Sequence, residues 1–264
     1  CFYGKNSVKK VNFYEQLLIV IFTYLISSLF IALPYYFSNY QITFIDSLFE
    51  SFSGITSTGF SIFDNIKYLD PTLILWRSTS QWIGGLYFLV FLIIIFSNNQ
   101  YNFKLNHLVY TGNMGSISKS NIKKVLFQIF LIYSLLTFLI FIILNFGSVR
   151  LFNSLNLSMT IISNGGFLPA NNLNQIFLKD NYTILALVLL IPTLNIFLLF
   201  NLYDRKKIIN HHQEDLFLII FISILSFIMF YTLENTKISE IVINIISSIS
   251  NSGLTFTKSS DETI

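Results

Sequence analysis

Charge is scarce in this chain. Asp, Glu, Lys and Arg make up 11% of its 264 residues, where an ordinary soluble domain carries about 25%. So few ionised side chains cannot cover a water-facing surface, which excludes the soluble globular classes. Cysteine occurs once, at Cys1. That rules out an internal disulfide framework and any multi-thiolate metal site, and it leaves the redox compartment unreadable. No secretory leader is visible and the first residue is not Met, so a native N-terminus upstream of Cys1 is expected. A nucleophile elbow, a phosphate-cradling Gly-rich loop and a Ser/His/Asp set are also missing, so neither an enzyme nor a cofactor is expected. The basic residues are too dispersed for a nucleic-acid partner.

What is present is apolar. Hydrophobic residues account for 53% of the chain and the mean hydropathy is +0.65. The long runs meet the roughly 20 residues that a helix needs to cross a hydrocarbon core. Five spans are expected: Leu17–Phe37, Leu73–Phe96, Val125–Phe146, Tyr182–Leu202 and Leu216–Leu233. Between them the charge is sorted by side. Lys5, Lys9, Lys10, Lys104, Lys119, Lys123, Lys124, Arg205, Lys206 and Lys207 all fall on one side, which the positive-inside rule assigns to the cytoplasm. The opposite loops carry Asp46, Asp64, Asp70, Asp180, Glu234 and Glu240.

Each outward loop holds an extra apolar stretch of half the spanning length. The three align without a gap: DSLFESFSGITSTGF (Asp46–Phe60), NSLNLSMTIISNGGF (Asn153–Phe167) and EIVINIISSISNSGL (Glu240–Leu254). Asp46, Asn153 and Glu240 share the first position, and Ser53, Thr160 and Ser247 follow seven residues on. Next come Ile55, Ile162 and Ile249, then Thr56, Ser163 and Ser250, then Ser57, Asn164 and Asn251. Gly59, Gly166 and Gly253 close the pattern. In the second copy Gly165 and Gly166 are adjacent, and Gly166 keeps the register with Phe167.

A polar residue that caps or favours a helix start, about ten mostly apolar residues, then small hydroxyls and a glycine reads as a short re-entrant helix followed by extended backbone. Non-helical backbone at membrane depth survives only when buried in protein or lining a watery path. Glycine permits unusual dihedrals there and lets carbonyls face something small, and a ring of carbonyls replacing a hydration shell selects a cation. One such segment alone is usually a turn. Three in register, each after an outward-going span, point instead to a pore.

The expected fold is therefore an all-α polytopic membrane protein of repeated helix, pore loop, helix units around a pseudo-fourfold, potassium-channel-like pore. Residues 1–100 form the first unit and 101–208 the second. Residues 209–264 form a third with only a leading helix and pore loop, and eleven residues after Gly253 the sequence stops. Two competing expectations are a secondary transporter of a small solute with broken full-length spans, and a non-functional truncated fragment.

Other features have plainer readings. Arg77 sits near the outer end of its span, where it can snorkel or pair with Asp46, Glu50, Asp64 or Asp70; a direct part in permeation is the alternative. Gly84 and Gly85 suit close packing of that helix on the pore loop. Pro192 and Asn195 interrupt the fourth span, as a kink or as part of a cavity below the filter. His211, His212 and Glu214 lack the spacing of a zinc helix and read as solvated loop.

The segment LWRSTSQWIGGLYFLVF, Leu75–Phe91, resembles the hallmark of the Trk, Ktr and HKT superfamily of potassium transporters. Trp76, Arg77, Ser78, Gln81, Trp82, Gly84 and Gly85 stand in that family's order. The loops TSTGF, SNGGF and SNSGL are similar to its filter loops, and PTLNIFLLFNLYDRK is similar to its second trailing helix. The resemblance implies a filter at Thr58, Gly59 and Phe60, at Gly165, Gly166 and Phe167, and at Ser252, Gly253 and Leu254. Thr56, Ser57, Ser163, Asn164, Ser250 and Asn251 would support it. It implies potassium as the transported ion, held by backbone carbonyls at Gly59, Gly166 and Gly253, with no cofactor. It further implies a multi-pass protein of the bacterial cytoplasmic membrane, a homodimer, and a cytoplasmic nucleotide-binding regulatory subunit as partner. Plant relatives with sodium preference carry serine at the first glycine, so Gly59 favours potassium. The family's two earlier helices and its final quarter, with an arginine near the gate, have no counterpart in this sequence.

Overall fold

The computed structural model describes residues 13–96, 119–177, 182–194, 213–232, 238–250 and 252–254. They are helical throughout, apart from loops and one isolated bridge between Val149 and Phe177. Helices α1 (Phe13–Tyr36), α2 (Phe44–Ile55) and α3 (Pro71–Phe96) come first, with a single 3-10 turn at Ile66–Tyr68. Then follow α4 (Lys119–Phe146), α5 (Leu151–Ile162), the one-turn α6 (Leu173–Ile176), α7 (Tyr182–Thr193), α8 (Gln213–Thr232) and α9 (Ile238–Ser250).

The spans expected from hydropathy are the long helices, shifted at their ends. The first begins four residues earlier and the third six, because amphipathic flanks such as Phe13–Gln16 and Lys119–Lys124 continue the helix beyond the apolar run. The fourth is described only to Leu194, so Asn195 and the rest of its expected length lie outside the described residues, as do His211 and His212. Pro192 stands in the last turn of α7. The unit boundaries at 100 and 208 and most of the basic residues that set the sidedness also lie outside.

Three described helices are long and apolar enough to cross a membrane, within Phe13–Tyr36, Lys124–Phe146 and Glu214–Thr232. Their large apolar side chains point outward, including Phe22 and Phe30 on α1, Phe127 and Phe138 on α4, and Phe217 and Phe227 on α8. That is where lipid replaces water as the solvent. At 26 residues α3 is of spanning length too, but it carries a buried polar face of Arg77, Ser78, Ser80 and Gln81. The chain is a multi-pass membrane protein.

The short helices are of another kind. Both α2 and α9 are strongly two-faced, whereas α1 and α8 are apolar all round. Each short helix packs among long ones: α2 on α1 and α3, α5 on α4, α3 and α7, and α9 on α8 and α7. Two apolar cores result. One joins Ile31 and Tyr35 of α1, Ile55 of α2, Leu73 and Ile74 of α3, and Ile66 and Leu69 of the loop. The other joins α4, α5, α7, α8 and α9 through Ile140, Leu157, Leu189, Ile222 and Ile243 among others.

Candidate functional site

The three aligned segments fold alike at atomic detail. Asp46, Asn153 and Glu240 are each the third residue of their helix, three positions past a cap. The expected capping role therefore moves for the first copy. Thr43 caps α2, accepting from the Asp46 amide at 3.2 Å and donating to Asp46 Oδ2 at 2.6 Å. At α5 the N-cap is Arg150, which makes no side-chain bond to the helix.

The C-terminal ends repeat more closely still. The amides of Thr58, Gly165 and Ser252 donate to the carbonyls of Ser53, Thr160 and Ser247, five residues back, at 2.9, 2.9 and 3.1 Å. Ser57 and Asn164, at equivalent positions, donate to Gly54 and Ile161 and take φ of +53° and +52°. This is the Schellman ending, in which a left-handed residue reverses the chain and satisfies the last carbonyls. A turn thus stands between the short helix and the backbone that follows it. Asn251, at the third equivalent position, lies outside the described residues.

Beyond the turns the loops converge. A Cβ on Gly59 would stand 2.6 Å from Gly166 Cα, and one on Gly166 would stand 2.9 Å from the Ser252 carbonyl oxygen. Gly59 and Gly253 take positive φ, +85° and +64°. Gly166 does not, so glycine there is required by space rather than by dihedral. Its neighbour Gly165 packs against the Gln81 amide. Thr58 and Phe60 are exposed, Phe167, Ser252 and Leu254 are buried, and no described residue stands near the missing Cβ of Gly253. The hydroxyls of Thr56 and Thr58 lie 2.6 Å apart, and Ser250 donates to Ser252 Oγ at 3.1 Å.

On the side of these turns facing Tyr24 and Phe88 lies a cavity of about 340 Å³. Its walls include Thr56, Ser57, Ser163, Asn164 and Ser250, with Gly84 and Gly85 of α3. Both glycines allow contact that a side chain would forbid. Gly84 sits on the Ile55 carbonyl at the end of α2, and a Cβ on Gly85 would be 2.6 Å from Tyr133 Oη and 2.8 Å from Ser163 Cβ.

Arg77 does not snorkel. It is 1% exposed and its Nε donates to Oε1 of the fully buried Glu50 at 2.7 Å. Of the four acids the sequence offered, Glu50 is its partner. Its Nη2 donates to Ser61 Oγ at 2.9 Å and its guanidinium stacks 4.2 Å from the Phe167 ring centre. Glu50 Oε2 accepts from the Ile62 amide at 2.9 Å and Oε1 from Ser61 Oγ at 3.1 Å. Burial is offset by these extra bonds, as a charge pair in low dielectric requires. Sequence reasoning also missed Asn171, whose Oδ1 accepts from the Ile66 amide at 2.7 Å and whose Nδ2 donates to Asn65 at 2.8 Å. Neither carried a signal that set it apart in the sequence: Glu50 shares α2 with Asp46 and three serines, and Asn171 lies in a polar loop.

An all-helical membrane protein with half-length helices set among spanning ones, their glycine turns converging beside a cavity, belongs to the class of membrane transport proteins. The profile of the TrkH family, described as a cation transport protein, matches residues 2–191. The chain belongs to that family. It is 30% identical over 165 residues to an uncharacterized cation transporter of Methanocaldococcus jannaschii, covering 62% of this chain and 34% of that one. It is 29% identical over 201 residues to the Trk system potassium uptake protein TrkH of Escherichia coli K12, covering 74% of this chain and 41% of that one. The chain thus spans well under half the length of these relatives. The crystal structure of the potassium transporter TrkH from Vibrio parahaemolyticus superposes with a TM-score of 0.74 at 20% identity, over 96% of this chain and 53% of that one, a likeness of fold.

Proposed function

We propose that the complete protein takes up potassium across a bacterial cytoplasmic membrane through a filter lined by Gly59, Gly166 and Gly253. The observation that carries this reading is the convergence of three equivalent turns, Gly59 against Gly166 and Gly166 against the Ser252 carbonyl. Backbone brought together there, free of side chains, can present carbonyl oxygens to a dehydrated cation. The cavity behind it supports the same reading. The C-caps of α2 and α5, Thr56 and Ser163, and the last residue of α9, Ser250, all line it, so three helix dipoles direct their negative ends at one place. An inside-negative potential then supplies about 2.3 kcal/mol per charge per 100 mV for inward movement.

On this reading α1 to α3 and α4 to α7 are two helix, pore loop, helix units, and α8 with α9 opens a third. Thr58, Phe60, Gly165, Phe167, Ser252 and Leu254 flank the filter glycines, while Thr56, Ser57, Ser163, Asn164, Ser250 and Asn251 support them. The family relationship supports a homodimer working with a cytoplasmic nucleotide-binding regulatory subunit. The test is expression of the complete protein in a bacterium lacking potassium uptake, following growth at limiting potassium and rubidium entry, with Gly59→Ser beside it. Uptake that weakens or turns toward sodium in the variant supports the glycine filter; no monovalent cation uptake, or indifference to the variant, overturns it.

A further inference from the structure

One face of α3 holds two loops at once. Arg77 and Gln81 lie one helical turn apart, so their side chains project from the same side. Gln81 accepts from the Phe167 amide through Oε1 at 3.2 Å, and its backbone carbonyl accepts from Ser57 Oγ at 3.4 Å. Because an amide N–H can only donate, the oxygen of the Gln81 carboxamide must face Phe167, which fixes its orientation. Gly165 closes on the same carboxamide so tightly that no Cβ fits between them. A turn above, Arg77 donates to Ser61 of the first loop at 2.9 Å and to the Leu168 carbonyl of the second at 3.5 Å, with its guanidinium against the Phe167 ring. Gln81 and Arg77 are both about fully buried.

We propose that Gln81 and Arg77 are positioning residues for ion discrimination: α3 of the first unit sets where the Gly165–Leu168 backbone of the second unit stands. The inference rests on the filter reading above. The physical reason is the narrow tolerance of a carbonyl site, which a shift of about 0.5 Å degrades. Gly165 and Gly166 have no side chains to anchor this stretch. The Phe167 amide is buried, and Gln81 is its acceptor. Removing that acceptor leaves an unsatisfied donor, and the loop relieves it by moving. The first loop is held by Glu50 as well, through Ile62, so the larger displacement falls on the second.

The test uses the complete protein reconstituted in lipid vesicles, with influx of rubidium and of radioactive sodium measured at matched protein density. Gln81→Met removes the acceptor at similar volume, Gln81→Glu keeps an acceptor in place, and Gly59→Ser controls for the filter itself. The proposal expects Gln81→Met to lower the rubidium to sodium ratio by about tenfold and Gln81→Glu to hold it within about twofold. An unchanged ratio in Gln81→Met beside a changed one in Gly59→Ser overturns the positioning role and leaves the filter standing. Equal loss in Gln81→Met and Gln81→Glu also overturns it, because the acceptor is then not the cause. If Gly59→Ser leaves the ratio unchanged, the filter fails and this inference with it. Should Gln81→Met fail to reach the vesicles, Gln81→Glu decides: the parental ratio supports the hydrogen bond, and loss overturns it.

Discussion

Gly59 and Gly166, more than a hundred residues apart, meet so closely that a Cβ on the first would stand 2.6 Å from the Cα of the second. The clash is with backbone, which cannot rotate away, and the φ of +85° at Gly59 adds about 1–2 kcal/mol of strain for any L side chain. Gly253 shares the positive φ, +64°, but among the described residues nothing stands near its missing Cβ. Rubidium uptake by the complete protein should therefore fall at least tenfold in Gly59→Ala and clearly less in Gly253→Ala. Equal losses at both positions would show that the dihedral, not the contact between loops, governs the effect.

Arg77 and Glu50 form a buried pair, and breaking a buried pair by removing one partner costs about 3–5 kcal/mol, because the other charge is left uncompensated. Arg77→Met and Glu50→Leu should each lower the unfolding temperature of the detergent-purified protein markedly. The double variant, which buries no charge, should lose less than the sum of the singles. Additive losses would mean that the two side chains act separately, through Phe167 and Ile62.

Much of this was legible because membrane and backbone constraints act locally. Apolar length marks a span whatever packs beside it, and three gapless copies of one motif put Ser53, Thr160 and Ser247 at one position, where each carbonyl accepts from the amide five residues on. The ends of the spans were less legible, since a helix can run past the end of its apolar stretch, as α4 does over Lys119–Lys124. The partner of Arg77 was not legible at all. Four acids lie within plausible reach in sequence, and only the packing of α2 on α3 selects Glu50. The packing of α5 on α3 likewise brings Gln81 to Phe167, a contact across 86 residues that no local pattern encodes.

Sidedness is open to a direct chemical test because the sequence has a single cysteine, Cys1. In a background of the complete protein with every cysteine replaced, Cys1 included, Asp64→Cys and Lys124→Cys each present one thiol at an exposed position on opposite sides of the expected topology. A membrane-impermeant maleimide applied to whole cells should label position 64, and should label position 124 only after the membrane is opened. The reverse pattern would invert the topology and turn the half-length helices toward the cytoplasm.

Gly84 and Gly85 offer a last discrimination, because their neighbours differ in kind. A Cβ on Gly84 meets the backbone of Ile55, with the carbonyl carbon 2.7 Å and Cα 3.0 Å away. This is the last turn of α2, so relief requires the whole turn before Gly59 to move. A Cβ on Gly85 instead meets Tyr133 Oη first, at 2.6 Å, the end of a side chain, and backbone only third, at Ser163 Cα 3.0 Å away. Overpacking of this sort costs about 1–3 kcal/mol, and the route of relief decides whether function survives. Gly84→Ala should reduce rubidium uptake at least tenfold with no rescue from Tyr133→Phe. Gly85→Ala should be the milder change and should recover in part when Tyr133→Phe removes the nearest atom, although Ser163 Cβ, 2.8 Å away, limits the recovery. Rescue of Gly84→Ala by Tyr133→Phe would place the strain at α4 rather than at the end of α2, and would separate the packing of α3 from the geometry of the first loop.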